Sequence, residues 1–440
     1  MSASPGLGAF TNVVTLVLRQ GDVPTTNGVN VVGASAYAGA VDTYVWREAP
    51  NTTCEGAEVL HWGGAQWVGF PSNASRTFMR FDNFTNCLPA SARVVNARLY
   101  LVSAGDGLGG SGGDVYYRTA SWTTGITWNT AGTCAQNAAR IGSVTMNAWA
   151  PWPSNAVHYL DLTALAQAWQ AGFVTNFGLL IDCNEDGEAH SERIVFSSDC
   201  SVVSNRPRLV MDCVVQNTVR VPSWGRTMAN QAIVVTNGAG IIEDTYLAPD
   251  HSNYAAAASV DLRTYNNVNT PRRALLRIRA ADPAVVRLAK STDAVTPGVP
   301  RLKHARLQAN VDALQEYLGL WQCSQNWVAT NATDLSSDGG NSWAQAWTNT
   351  GISNVSADLG SSSGDNPLLA GTVGWDITST VQSYVDGSNN FGFVIGQASG
   401  GAYYNDLALT EYGTPFMRPT LVLETWTPVV IEPGAIIQAR

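Results

Sequence analysis

The chain is 440 residues long, with 45% apolar and only 13% charged side chains and a net charge of −9. Charge this sparse argues against extended disorder and against a long solvated helical bundle. Lys290 and Lys303 are the only lysines and no basic stripe exists, which excludes nucleic-acid binding, and no apolar run approaches the ~18 residues of a membrane-spanning helix.

Forty-one glycines and nineteen prolines fit short strands joined by many turns. The start, Met1-Ser-Ala-Ser-Pro-Gly, lacks the basic residues and apolar core of a secretory signal, so the expectation is a chain that stays in the cytoplasm until release or one whose signal has been removed, the retained Met1 favouring the first. Residues 1–40 read as an arm containing a first strand, Val13 to Leu18. Arg76 to Phe81 and Val94 to Val102 alternate polar and apolar residues, as strands with one buried face do. Gly105 to Gly113 lacks the Gly-Lys-Ser/Thr ending of a phosphate-binding loop and reads as a hairpin tip. Asp161 is placed to cap a short helix that ends at Gly172. Three more strands follow over Phe177–Asp182, Arg193–Ser197 and Arg208–Cys213.

The same series then returns. Asp42-Thr43-Tyr44 reappears as Asp244-Thr245-Tyr246, 202 positions on, and Met79-Arg80-Phe81 as Leu276-Arg277-Ile278, 197 on. Ala97-Arg98-Leu99 becomes Ala305-Arg306-Leu307, Asp161-Leu162-Thr163 becomes Asp376-Ile377-Thr378, and Asn176-Phe177-Gly178 becomes Asn390-Phe391-Gly392. Arg206-Pro207 closes the series as Arg418-Pro419. A period near 200 duplicates a whole domain. The predicted organisation is an arm (1–40), a first β-sandwich (41–215), a linker (216–241), a second β-sandwich (242–427) and a C-terminal arm (428–440). The expected fold class is all-β, two tandem jelly-roll-like sandwiches with one short helix each.

Asp-Thr-Tyr, Arg80-Phe81 before Leu88-Pro89, Ala97-Arg98-Leu99, Ile126-Thr127-Trp128-Asn129, the Asp161 helix, Asn176-Phe177-Gly178-Leu179 and Arg206-Pro207 together resemble a DNRLRE-type domain. The resemblance covers about 170 residues of each half; the second half replaces Ile-Thr-Trp-Asn with Trp343-Ala-Gln-Ala-Trp347. It implies a jelly-roll-like sandwich of surface and wall-associated proteins, and its relatives include carbohydrate-binding modules.

Cys54, Cys87, Cys134, Cys183, Cys200 and Cys213 all fall in the first half, enough for up to three disulfides, and Cys323 is left over for an inter-chain bond. Buried inert thiols are the alternative. Asp182, Asn184 and Asp186 place oxygen ligands at alternate positions before Gly187, as a Ca²⁺ loop does, although Arg193 stands where the closing glutamate belongs. No other cofactor is expected. Five histidines show no metal spacing, and no nucleophile elbow occurs, so the chain is read as non-enzymatic. Trp62, Trp67, Trp122 and Trp128 are candidates to stack on sugar rings. Arg80, Arg98, Arg277 and Arg306 recur and are expected to pair with Asp161 and Asp376. The first functional expectation is a structural protein of a phage virion surface, a capsid decoration that self-associates, a trimer being one form, and contacts the major capsid protein and host surface glycans. The second is a glycan-binding module of a secreted or cell-surface protein.

Overall fold

The computed structural model describes residues 13–30, 35–67, 70–88, 92–105, 114–135, 138–143, 154–182, 193–215, 218–221, 226–236, 242–248, 252–257, 259–263, 272–278, 302–311, 318–333, 337, 342–344, 355–361, 371–385, 387–397 and 404–428. The fold is all-β, two tandem jelly-roll-like sandwiches.

The first half contains β1 (Val13–Arg19), β2 (Thr25–Thr26), β3 (Val29–Asn30), β4 (Ala40–Trp46), β5 (Val59–Trp67), β6 (Phe70–Phe81), β7 (Arg93–Gly105), β8 (Asp114–Arg118), β9 (Ala138–Ser143), β10 (Val157–Asp161), β11 (Leu179–Asp182), β12 (Arg193–Phe196) and β13 (Arg208–Val214). Helices α1 (Trp128–Ala135) and α2 (Thr163–Ala171) interrupt them. The second half contains β14 (Thr218–Val221), β15 (Arg226–Thr236), β16 (Ile242–Leu247), β17 (Ser259–Arg263), β18 (Arg273–Ile278), β19 (Leu302–Val311), β20 (Leu318–Cys323), β21 (Val355–Ser361), β22 (Gly371–Asp376), β23 (Phe393–Gln397), β24 (Tyr404–Ala408) and β25 (Thr420–Pro428), with helix α3 (Thr378–Val385).

Both halves run in the same strand order. One layer of the second half is β14-β15-β25-β19-β24-β17, with β22 beside β19; the other is β16-β18-β23-β20-β21. The first half repeats this as β1-β13-β7-β12-β5, with β10 beside β7, and as β4 and β11 on β6 followed by β8 and β9. There β5 continues into pairing with β6, which joins the two layers into one sheet of thirteen strands. Alternation along β7 sends Ala97, Leu99 and Leu101 into the core while Asn96, Arg98 and Tyr100 stay half-buried on the outer face. Each sandwich encloses its own core, one around Leu99, Met79 and Leu179, the other around Leu307, Leu276 and Phe393.

The arm and the expected linker both contribute to these sheets. β1 pairs with β13 from Val13↔Val214 to Arg19↔Arg208. Residues 216–241, expected as linker, contain β14 and β15, and β15 pairs with β25 from Met228↔Pro428 to Thr236↔Thr420. The apolar run Ile233-Val234-Val235 has a partner strand, so its backbone groups are satisfied as a ladder. The expected C-terminal arm lies outside the described residues beyond Pro428.

α2 and α3 are the expected pair of short helices; α1 is an addition found in the first half. Thr163 N donates to Asp161 Oδ1 and Thr378 N to Asp376 Oδ1, both at 2.9 Å; Leu162 is the capping residue of α2, so Asp161 stands one position before the cap and not at it. α2 ends at Gly172 with φ 73°, the left-handed conformation that a helix C-terminus favours. Arg98 and Arg306 lie opposite Asp161 and Asp376 on adjacent strands. Arg80 pairs instead with Asp82, and Arg277 with Glu243.

Candidate functional site

The outer face of the β4-β6-β11-β8 layer is apolar at Val45, Phe78 and Leu180, and a chain segment must cover it. Residues Trp122 to Ala131 do so. Trp122 is 6% exposed and packs on Phe78 at 5.5 Å, and its indole N–H donates to Phe177 O at 2.7 Å. The Arg80 guanidinium lies 5.0 Å over its ring. Trp122 is thus a lid on the sheet, and its stacking face is not available to a sugar. Trp62 is 0% exposed inside the sandwich, a second correction to the expected glycan-contacting set. Trp67 lies in β5, and its side chain is outside the described residues.

Trp128 differs from these. It opens α1, is half-buried at the margin of the outer cluster, and carries the Arg76 guanidinium 4.3 Å over its ring. The next residue, Asn129, is exposed; its side-chain amide donates to Asn51 Oδ1 at 2.8 Å and its backbone N–H to Pro50 O at 3.1 Å. These bonds lock the start of α1 to the turn that follows β4. Trp46 begins that turn and is 39% exposed, and Arg47, Glu48 and Asn51 are exposed around it. The start of α1 thus carries an indole, a guanidinium and primary-amide groups together, and the turn it is bonded to opens with a second exposed indole, Trp46. Trp46 escaped the sequence reading because it stands in no motif. The available signal was its place two residues after Asp-Thr-Tyr, at the end of that strand and the mouth of a Pro-containing turn, where a bulky apolar residue has no core to enter.

The other expected sites fall differently. Cys54, Cys87, Cys200, Cys213 and Cys323 are free thiols, which overturns the disulfide expectation for them. Cys323 is 1% exposed, with Sγ donating to Gln325 O at 3.2 Å, so core packing withdraws it from any inter-chain bond. Burial pushes the Cys213 thiol up to about 12, which keeps it protonated and unreactive. The side chains of Cys134 and Cys183 lie outside the described residues. Asp182 ends β11, while Asn184 and Asp186 lie outside the described residues, and no group of three metal-ligating side chains occurs among those described.

Two buried carboxylates recur. Asp42, 3% exposed, accepts Ser198 N at 2.8 Å, and Asp244, also 3% exposed, accepts Thr410 N at 2.7 Å. Burial, above all, raises both to about 7. Each ties the loop after β12 or β24 to the strand that opens its layer, and each stands in a different half. They are therefore structural ties and not a pair of catalytic carboxylates. A cleft of about 660 Å³ lies between Pro24, Thr26 and residues 35–39 on one side and the turn at 82–88 on the other, but the one carboxylate among its described lining residues, Asp82, is bonded to Arg80.

A family model described as carbohydrate-binding module family 96 matches residues 34–212. No curated protein matches the chain. The match spans nearly all of the first sandwich and includes Trp46, Arg76, Trp128 and Asn129.

Proposed function

We propose that the first half is a carbohydrate-binding module and that it holds sugar on the surface formed by the turn after β4 and the start of α1. The supporting observation is that this surface lies within the matched region, while the second half has Ala248 at the place of Trp46 and Thr333 at the place of Trp128. Indole rings offer an apolar face to the C–H side of a pyranose, and amide and guanidinium groups offer planar donors and acceptors to its hydroxyls. Trp46 and Trp128 fill the first role, and Asn51, Asn129 and Arg76 the second. Binding is the whole activity on this reading, with no bond made or broken. The second half is proposed as a diverged DNRLRE-type copy that braces the first, and the protein as one acting at a cell surface or outside the cell. A phage-capsid role has no observation favouring it over this reading.

The test is a glycan array with the full chain, followed by calorimetry on the best ligand with Trp128→Ala, Trp46→Ala and Asn129→Ala. Each side chain is partly or fully exposed, so folding should survive. The expected effect of Trp128→Ala is binding weaker by about tenfold or more, since removing a stacking interaction worth on the order of 1.4 kcal/mol is a factor of ten. Binding unchanged in all three variants would overturn the assignment of the surface. An empty array would overturn the module reading itself.

A further inference from the structure

The two halves meet through faces that are not equivalent. The first half presents α2, the end of β10 and Tyr117; the second presents the turn Pro415–Met417, the start of β22, and β19 and β25. Phe416 stands edge-on to Tyr117 at 5.0 Å, and Phe416 and Met417 complete the first core. Gln167 in α2 donates to Gln308 Oε1 at 3.3 Å, and Gln308 donates to Val95 O at 3.1 Å. Val422 closes on Val95 and Val214. A Cβ on Gly371 would stand 2.6 Å from the Asp161 Cβ, so the two backbones are in close contact there.

Because the halves are copies, each of these faces has a counterpart, and both counterparts are open. Counting by the repeat, Val157 in the first half corresponds to Thr372 and Val202 to Thr414 of the docking turn. They are 54% and 52% exposed, among the most exposed large apolar side chains described. At the opposite end, α2 is buried from Thr163 to Trp169, whereas its copy α3 has Ser379 exposed and Gln382 half-buried. The Asp376 side chain, copy of Asp161, is 55% exposed.

We propose that a second copy of this chain docks head to tail, the α3 face of one molecule covering the Val157–Val202 face of the next, in repetition of the junction inside the chain. Charge supports the same occupant. Arg98, Asp161, Arg306 and Asp376 alternate in sign through the internal junction, Arg306 lying within Coulombic range of both aspartates. Asp376 also holds His304 Nε2 at 3.3 Å within its own half, and the next arginine in that series is Arg98 of a neighbouring molecule. The contact is weaker than its internal template, because Tyr117 and Phe416 are replaced at these positions by Gln322 and Ser204. Faces of different kind at the two ends give an open chain or a ring, never a closed two-fold pair.

Sedimentation of the full chain over a concentration series tests this. The expected result is a mass that climbs past the dimer, with Val202→Asp and Ser379→Arg each at least tenfold weaker in self-association and with wild-type circular dichroism. An equimolar mixture of those two variants keeps one intact face of each kind, so it should form a 1:1 complex that stops there. A wild type that stays monomeric at every concentration would overturn the proposal. So would a dimer that the mixture fails to restore, the behaviour of a two-fold contact.

Discussion

Trp122 in the first half and Trp327 in the second do the same work: each indole N–H donates 2.7 Å to the carbonyl before a glycine, of Phe177 or Phe391, beneath an arginine. Gly178 and Gly392 have φ of 82° and 78°, and a Cβ on either would meet the facing carbonyl, of Met79 or Leu276, at 2.3 Å. Asn176 and Asn390 each donate to the backbone of the strand beside them. Elsewhere the copies part. Trp46 becomes Ala248, 3% exposed; Arg76 becomes Arg273, 6% exposed; and the position of Trp128 becomes Thr333. Residues that satisfy buried backbone recur because a vacancy there costs the fold, whereas residues at the tip of the layer are free to diverge.

Four measurements test whether the recurring residues carry equal weight in the two halves. Trp122→Ala and Trp327→Ala should each cost about 3–5 kcal/mol in denaturant unfolding, since both leave a large cavity and an orphaned carbonyl. Unequal losses would show that the lids are not equivalent. Gly178→Ala and Gly392→Ala should each cost roughly 3 kcal/mol, from the positive φ and the displaced carbonyl together.

Next comes pH. Asp42 and Asp244 bind their protons more tightly in the folded chain, near 7, than in the unfolded one, near the usual 3.8. The stability they contribute is complete below about pH 4 and is lost as pH rises through 7. Thermal unfolding between pH 5 and 8 should show this fall, and Asp42→Asn, which keeps an acceptor for Ser198 N, should remove a part on the order of 2 kcal/mol. The smallest effect is at the junction. Gln167→Ala should cost about 1–2 kcal/mol, because it strips partners from Val94 O and Gln308.

The duplication and the β class were legible because their markers are backbone-bound. Asn-Phe-Gly, Asp-Leu-Thr and Arg-Pro each hold main-chain groups, so their spacing survives as loops change length. The tryptophans were not separable, since Trp62, Trp122 and Trp128 all sit among turn residues and only packing tells lid from surface. The cysteines misled for a similar reason: counting them says nothing of where their Cβ atoms point. The segment 216–241 was read as a linker although β14 and β15 pair within it, because β25, the strand that binds β15 into the sandwich, lies nearly 200 residues away.

The ends of the ladders decide how the protein would respond to load. Val13 lies opposite Val214, so the chain enters and leaves the first sandwich at the same end of two adjacent antiparallel strands. In the second, Thr218 of β14 lies opposite Ala229 of β15, which lies opposite Thr427 of β25, so entry and exit again fall at one end. Tension applied through the chain therefore peels β1 from β13, and β14 from β15 and then β15 from β25, one hydrogen bond at a time, and does not shear the whole ladder at once. A molecule anchored at one end and pulled at the other would yield at these zippers first, lengthening at low force while the remaining strands of each sandwich stayed folded.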